Sequence, residues 1–177
     1  MKKFLVPVDF SEYSENTCQY ALRLAAVIGA EIKLLHSFLD PIVDVPVPMY
    51  DFGGYEKMHN ELLVEAESHE KQMLESLYEK LQRQISQAHL EKVVLAPFSF
   101  RKGFPDEEIV DEADTYQPDL IIMAGKGKSG LMKGIFGSVT EDVIEKCKCP
   151  VMVIPPGRAP FPRGQVMYAT NYDENDQ

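Results

Sequence analysis

Residues 123–143, MAGKGKSGLMKGIFGSVTEDV, combine backbone freedom with positive charge in a chain whose formal net charge is −10. Gly125, Gly127, Gly130 and Gly134 hold off regular structure after the apolar run at 120–123, and Lys126, Lys128 and Lys133 sit among them. Glycines let a backbone come close to a ligand. Beyond them Ser138 reads as an N-cap, followed by Val139, Val143, Ile144 and Cys147 at helical spacing. A helix start presents unpaired N–H groups to an anion, so the stretch reads as a phosphate cradle. Three nucleotide patterns compete for it. Gly125-x-Gly127-x-x-Gly130 matches the dinucleotide G-x-G-x-x-G, but that motif needs its helix to open at once, and here the helix waits until about Ser138. Gly127-Lys128-Ser129 matches the end of a P-loop, but Ile122 stands where the P-loop needs glycine. A third pattern, G-x2-G-x9-G-[ST], is met from Gly127 through Gly137 and Ser138, with Ala124 in its first position.

A cradle works only if neighbouring elements carry it to the edge of a sheet. Residues 3–8 form an apolar first strand that delivers Asp9 at its C-terminal tip, where open α/β sheets bind ligands. Ser11 caps a helix with Cys18, Ala21, Leu22, Ala25 and Ile28 inward, and Gly29 closes it. A second strand covers 31–38. Residues 39–56, rich in Pro and Gly, read as a packed surface excursion or as a lid or partner-binding flap. A long helix follows over 56–87, burying Leu74, Leu77, Leu81 and Ile85. The third strand covers 91–100. Gly103 and Pro105 then open a short helix with acids in its first turn and Ile109, Val110 and Ala113 inward. The fourth strand leads into the glycine loop, a helix runs from 138 to about 146, and Pro150 introduces the last strand, Val151 to Ile154. Strands alternating with helices predict an α/β fold, a doubly wound five-stranded parallel sheet. Orders 2-1-3-4-5 and 3-2-1-4-5 both supply a switch point.

The G-x2-G-x9-G-[ST] pattern resembles the nucleotide signature of the universal stress protein family. The opening Lys3-Phe4-Leu5-Val6-Pro7-Val8-Asp9-Phe10-Ser11, Gly103-x-Pro105 ahead of Ile109, the run PDLIIMAGKGKSG and Cys149-Pro150-Val151 fit the same family, so the resemblance covers residues 2–155. It implies a Rossmann-like sheet of the adenine nucleotide alpha hydrolase type in order 3-2-1-4-5, with Asp9 beside the glycine loop. It also implies a site for ATP or AMP, admitting Mg alongside ATP. There Asp9 would accept hydrogen bonds from ribose or adenine, Pro7 and Val8 would line the base pocket, and the backbone near Ser37 and Phe38 would contact adenine. Met123, Ala124 and Gly125 would form the strand tip. Gly127, Lys128, Gly130, Gly137, Ser138 and Val139 would hold the phosphates, with Thr140 a further candidate. Lys126 stands where many members carry histidine, an added charge favouring a polyphosphate. The resemblance further implies a homodimer through Val151 to Ile154 and a regulatory or signalling role in stress response.

Asp9 has a plainer alternative reading, as a brace for the first helix. No activated nucleophile or acid–base pair stands in the loop, so binding outranks catalysis. The alternatives are a nucleotide-free interaction module using residues 39–87, or a slow ATP-hydrolysing or phosphotransfer enzyme. The acidic balance opposes nucleic-acid binding, which relies on clustered Lys and Arg. No apolar run approaches the ~20 residues a membrane span needs. The N-terminus enters a strand at once, with Pro7 and Asp9 interrupting any signal core, so a cytoplasmic location is expected. Cys18, Cys147 and Cys149 read as reduced thiols, and His36, His59, His69 and His89 lack metal-ligand spacing. Residues 1–155 form one domain and 156–164 a Pro/Gly linker. Residues 165–177 echo the opening strand, with Asn171 under Asp9, and are expected either to begin a truncated second copy or to be an unrelated disordered tail.

Overall fold

The structure, a computed structural model, describes residues 1–40, 54–126 and 137–155. Its elements alternate as the apolar patterning requires. They are β1 (Lys2–Pro7), α1 (Glu12–Ile28), β2 (Ala30–Phe38), α2 (Gly54–Gln87), β3 (Val93–Leu95), β4 (Ser99–Lys102), α3 (Pro105–Tyr116), β5 (Leu120–Ala124), α4 (Ser138–Lys146) and β6 (Val151–Ile154). Every strand pairing is parallel, and the sheet runs β3-β2-β1-β5-β6 with β4 beside β2. This is the order 3-2-1-4-5, with the expected third strand present as two pieces. Ile32 pairs with Leu95 and Leu35 with Ser99, so three residues on the outer strand face two on β2. The extra residue is a bulge around Pro97, which has no N–H to give the ladder.

α1 and α2 cover one face of the sheet, packing Cys18, Ala21, Leu22, Leu74, Leu77 and Leu81 on Phe4, Val6, Ile32 and Leu34. α3 and α4 cover the other, packing Ile109, Ala113 and Val143 on Leu5, Leu35, Ile121 and Met123. Each of the Val, Leu, Ile, Phe and Met side chains among them, fully buried, contributes about 1.5–3 kcal/mol. Four expected core positions differ, one of them Ile85 of α2, which is half-buried. Ile28, the last residue of α1 and about 80° round the helix from Cys18, is exposed. Ile144 is exposed too, and Val110 is half-buried, while Glu112 takes the deeper position on α3.

The caps follow the sequence closely. Ser11 is the N-cap of α1 and its hydroxyl accepts from the Ser14 N–H at 3.2 Å, with Glu12 and Glu15 in the first turn. Gly29 ends the helix at φ 77°, donating to the Ala25 carbonyl at 2.8 Å. Ser11→Ala is expected to lower stability by about 1 kcal/mol, read as a lower urea midpoint at unchanged slope.

Glu112, 1% exposed, is the charged centre of the α3 face. Its carboxylate accepts from Lys33 of β2 at 2.6 Å, from Ser99 at 2.9 Å and from both Nε and Nη2 of Arg101 of β4 at 3.1 and 2.7 Å. Burial alone would push its carboxyl up, but the hydrogen bonds from Lys33, Arg101 and Ser99 win and hold it below its ordinary value. One side chain thereby ties β2, β4 and α3 together. No described helix is long and apolar enough to cross a membrane. Residues 41–53 of the expected lid, the linker and the strand-like tail lie outside the described residues.

Candidate functional site

Because all strands run the same way, their C-terminal tips share one edge, and β1 lies between β2 and β5. The chain turns outward from β1 in both directions, so the switch point falls between β1 and β5. Continuing the register of Phe4 with Leu120 by five residues brings Asp9 level with Gly125. Sequence and topology thus bring Pro7, Val8 and Asp9 between Ser37 and Phe38 on one side and Met123, Ala124 and Gly125 on the other.

The β1–α1 turn is held from several directions. Oδ1 of Asp9 accepts from the Ser11 backbone N–H at 3.1 Å and from its hydroxyl at 2.6 Å, which orients the cap of α1. Asp9 therefore does brace the helix, the role its position alone allowed. Phe10 takes φ 60°, a left-handed conformation costing about 1–2 kcal/mol for a residue with a side chain. Its ring lies 4.3 Å from the ring of His36. The Val8 N–H donates to the Leu35 carbonyl at 2.8 Å, and the Val8 carbonyl meets Nδ1 of His36 at 2.7 Å. At the tip of β2 the Phe38 carbonyl accepts from the Gly103 N–H at 3.1 Å, locking the start of the α3 segment to the same edge.

The glycine stretch is anchored at both ends. The Gly125 N–H donates to the Ile154 carbonyl at 2.9 Å, and the Gly125 carbonyl accepts from the Gly137 N–H at 3.0 Å. Thr140, 3% exposed, donates its hydroxyl to the Ala124 carbonyl at 3.1 Å. The two ends of the stretch, Gly125 and Gly137, therefore stand one hydrogen bond apart. Gly137, with extended backbone at φ −73° and ψ 155°, is the N-cap of α4, and Ser138 is the first helical residue. This moves the expected cap by one position: Gly137 supplies the first helical acceptor, bonded by the Glu141 N–H at 3.1 Å. The N–H groups of the first turn, from Ser138 onward, have no acceptor within the helix and carry the positive end of its dipole. Gly127, Lys128 and Gly130, with Lys133 and Gly134, lie outside the described residues.

His36 is the residue that the spacing of charged groups did not reveal. It shares a face of β2 with Ile32 and Leu34 and is 6% exposed, with Nε2 at 2.9 Å from Oε2 of Glu70 on α2. Its in-phase place on the apolar face of β2 was the available signal. Among the described residues no group of three or more His, Cys, Asp or Glu could hold a metal ion. Burial pushes the Cys18 thiol up to about 12 and the Cys147 thiol up to about 11. Cys149 is raised as well, again chiefly by burial, so these groups are held as thiols.

The chain and its fold are similar to those of known proteins. The universal stress protein MJ0531 of Methanocaldococcus jannaschii is 30% identical over 154 residues, covering 86% of this chain and 81% of that protein. The structure of MJ0577 from the same organism superposes with a TM-score of 0.68 at 28% identity, covering 89% of this chain and 98% of the other. A universal stress protein family member from Arabidopsis thaliana, solved with AMP bound, shares the fold with a TM-score of 0.50 at 18% identity, covering 89% of this chain and 93% of its own. The profile of the universal stress protein family matches residues 1–155, every element from β1 to β6. With the whole described sheet inside that match, the chain belongs to the universal stress protein family.

Proposed function

We propose that this protein binds an adenine nucleotide, ATP or AMP, at the sheet edge between β1 and β5, and acts in the cytoplasm as a stress-response regulator. Asp9 takes the ribose, Pro7 and Val8 the base with the backbone near Ser37 and Phe38, and the stretch from Gly125 to Ser138 the phosphates. Thr140 serves by holding the Ala124 carbonyl. The observation that carries this reading is the hydrogen bond from Gly137 to Gly125. It brings the two ends of the glycine- and lysine-bearing stretch together at a helix N-terminus, with Gly125 level with the carboxylate beyond the tip of β1, which is the chemistry a nucleotide's anionic and hydroxyl ends require. The AMP on the Arabidopsis protein supports the ligand class, while that likeness itself is one of fold.

Pairing of two copies through β6 belongs to the same reading. β6 ends the sheet with no strand beyond it among the described residues, and Val151, Met152 and Val153 are half-buried there.

Isothermal titration with AMP and ATP is expected to give saturable binding near one equivalent per chain, with GTP weaker. Silence with both adenine nucleotides overturns the reading and leaves an interaction module. Hydrolysis faster than about 1 s⁻¹ would instead make the protein an ATP-using enzyme.

A further inference from the structure

We propose that His36 is a positioning residue for this site, and that it acts with a proton on both ring nitrogens, clamping the tip of β1 to the middle of α2. The proposal rests on the nucleotide reading above and adds to it a residue outside the expected set. Nδ1 lies 2.7 Å from the Val8 carbonyl and Nε2 lies 2.9 Å from the Glu70 carboxylate. A carbonyl oxygen and an ionised carboxylate can only accept, whereas a neutral imidazole has one donor and one acceptor. Two such short contacts on a ring 6% exposed need two N–H donors, and imidazolium facing carboxylate supplies them.

The clamp acts where the site begins. Both backbone polar groups of Val8 are committed, N–H to Leu35 and carbonyl to His36, so the residue before Asp9 has a fixed orientation. Phe10 after it is held in its left-handed conformation against one side of the same ring, with Phe100 of β4 5.6 Å away. Asp9 thus stands between two residues that both rest on His36. On α2, Glu67 lies three residues before Glu70 and pairs with Lys102 of β4 at 2.7 Å, so the same turn of the helix grips both strand tips.

The charged groups around the ring fit this assignment. From α2, Glu70 contacts it, and Glu67 is paired with Lys102 of β4. From the β1–α1 turn, Asp9 accepts from Ser11, and from α1, Glu15 is paired with Lys80 at 2.7 Å. Loss of one ring proton turns a nitrogen lone pair toward an oxygen lone pair, and either the Val8 or the Glu70 contact must open. Nucleotide affinity should therefore fall when the ring loses its second proton.

Glu70→Gln provides the discriminating variant, because Glu70 is partly exposed and glutamine keeps its shape. Its amide can donate to Nε2 of a neutral ring that keeps Nδ1–H for Val8. AMP affinity of wild type and Glu70→Gln is measured from pH 5.5 to 8.5, and their ratio is taken, which cancels the titration of the nucleotide itself. The wild type is expected to lose about 10-fold in affinity relative to the variant across that range, the scale of one charge-assisted hydrogen bond. A ratio that does not change with pH overturns the proposal. Imidazole ¹⁵N shifts of the ligand-free protein near neutral pH give an independent reading. Two protonated nitrogens on His36 support the clamp, and one bare nitrogen overturns it. If wild type binds no nucleotide while both nitrogens are protonated, the nucleotide reading fails and the clamp stands.

Discussion

Glu112→Ala is expected to cost about 3–5 kcal/mol of unfolding free energy, the scale seen when one partner of a buried ion pair is removed. Glu112 is 1% exposed and accepts from Lys33, Ser99 and Arg101. Its loss leaves the Lys33 ammonium, 20% exposed, without its carboxylate, and removes a side chain that joins β2, β4 and α3. Arg101 is more open to water, so its share of the loss is screened and the larger share lies with Lys33. Urea denaturation at pH 7 measures the effect. The pH dependence has a definite sign. The folded carboxyl sits below its unfolded value of 4.5, so its contribution is present above that value and is lost as pH falls through the lowered folded value. The gap between wild type and variant should therefore narrow on acidification below 4.5. A gap that stays constant to pH 3 would count against the ionic account.

Asp9→Ala should weaken AMP binding about 10- to 100-fold, equivalent to one or two hydrogen bonds to a charged acceptor. The same variant loses the bonds from Ser11 that steady the cap of α1, so some stability is lost with it. Asp9→Asn separates the two effects. Its side-chain carbonyl still accepts from Ser11, while the amide half removes the negative charge a ribose hydroxyl would meet. If Asp9→Asn binds AMP as wild type does, the carboxylate contributes to the helix start and not to the ligand.

Much of the scaffold was legible in the residues because its signals are local. Ser11, Gly29 and Pro105 mark helix ends by conformations and hydrogen bonds formed within a few residues. The β1 tip at Asp9 and the glycines after β5 were legible for the same reason, and the sheet order puts Asp9 level with Gly125. What escaped was non-local. The run 91–100 reads as one apolar strand, and the break at Pro97 shows only against the register of β2, about 60 residues earlier. Glu112 sits in a helix with several exposed acids, and nothing nearby distinguishes it from them. Its burial depends on Lys33 and Arg101, which reach α3 from two other elements. His36 escaped because its partners, Val8 and Glu70, are 28 and 34 residues away. The one-residue shift of the α4 cap is different, since Gly137 and Ser138 both suit the position and the backbone at 137 decided between them.

The bulge at Pro97 also bears on assembly. The sheet has two rims, and one is cut into pieces of three and four residues with an unpaired step between them. Such a rim is a poor template for an incoming strand, whereas β6 on the opposite side is uninterrupted. In the proposed pairing of two copies along β6, each would turn only its broken rim outward. Growth would then stop at the pair, and the chain would be protected from stacking edge to edge into a filament.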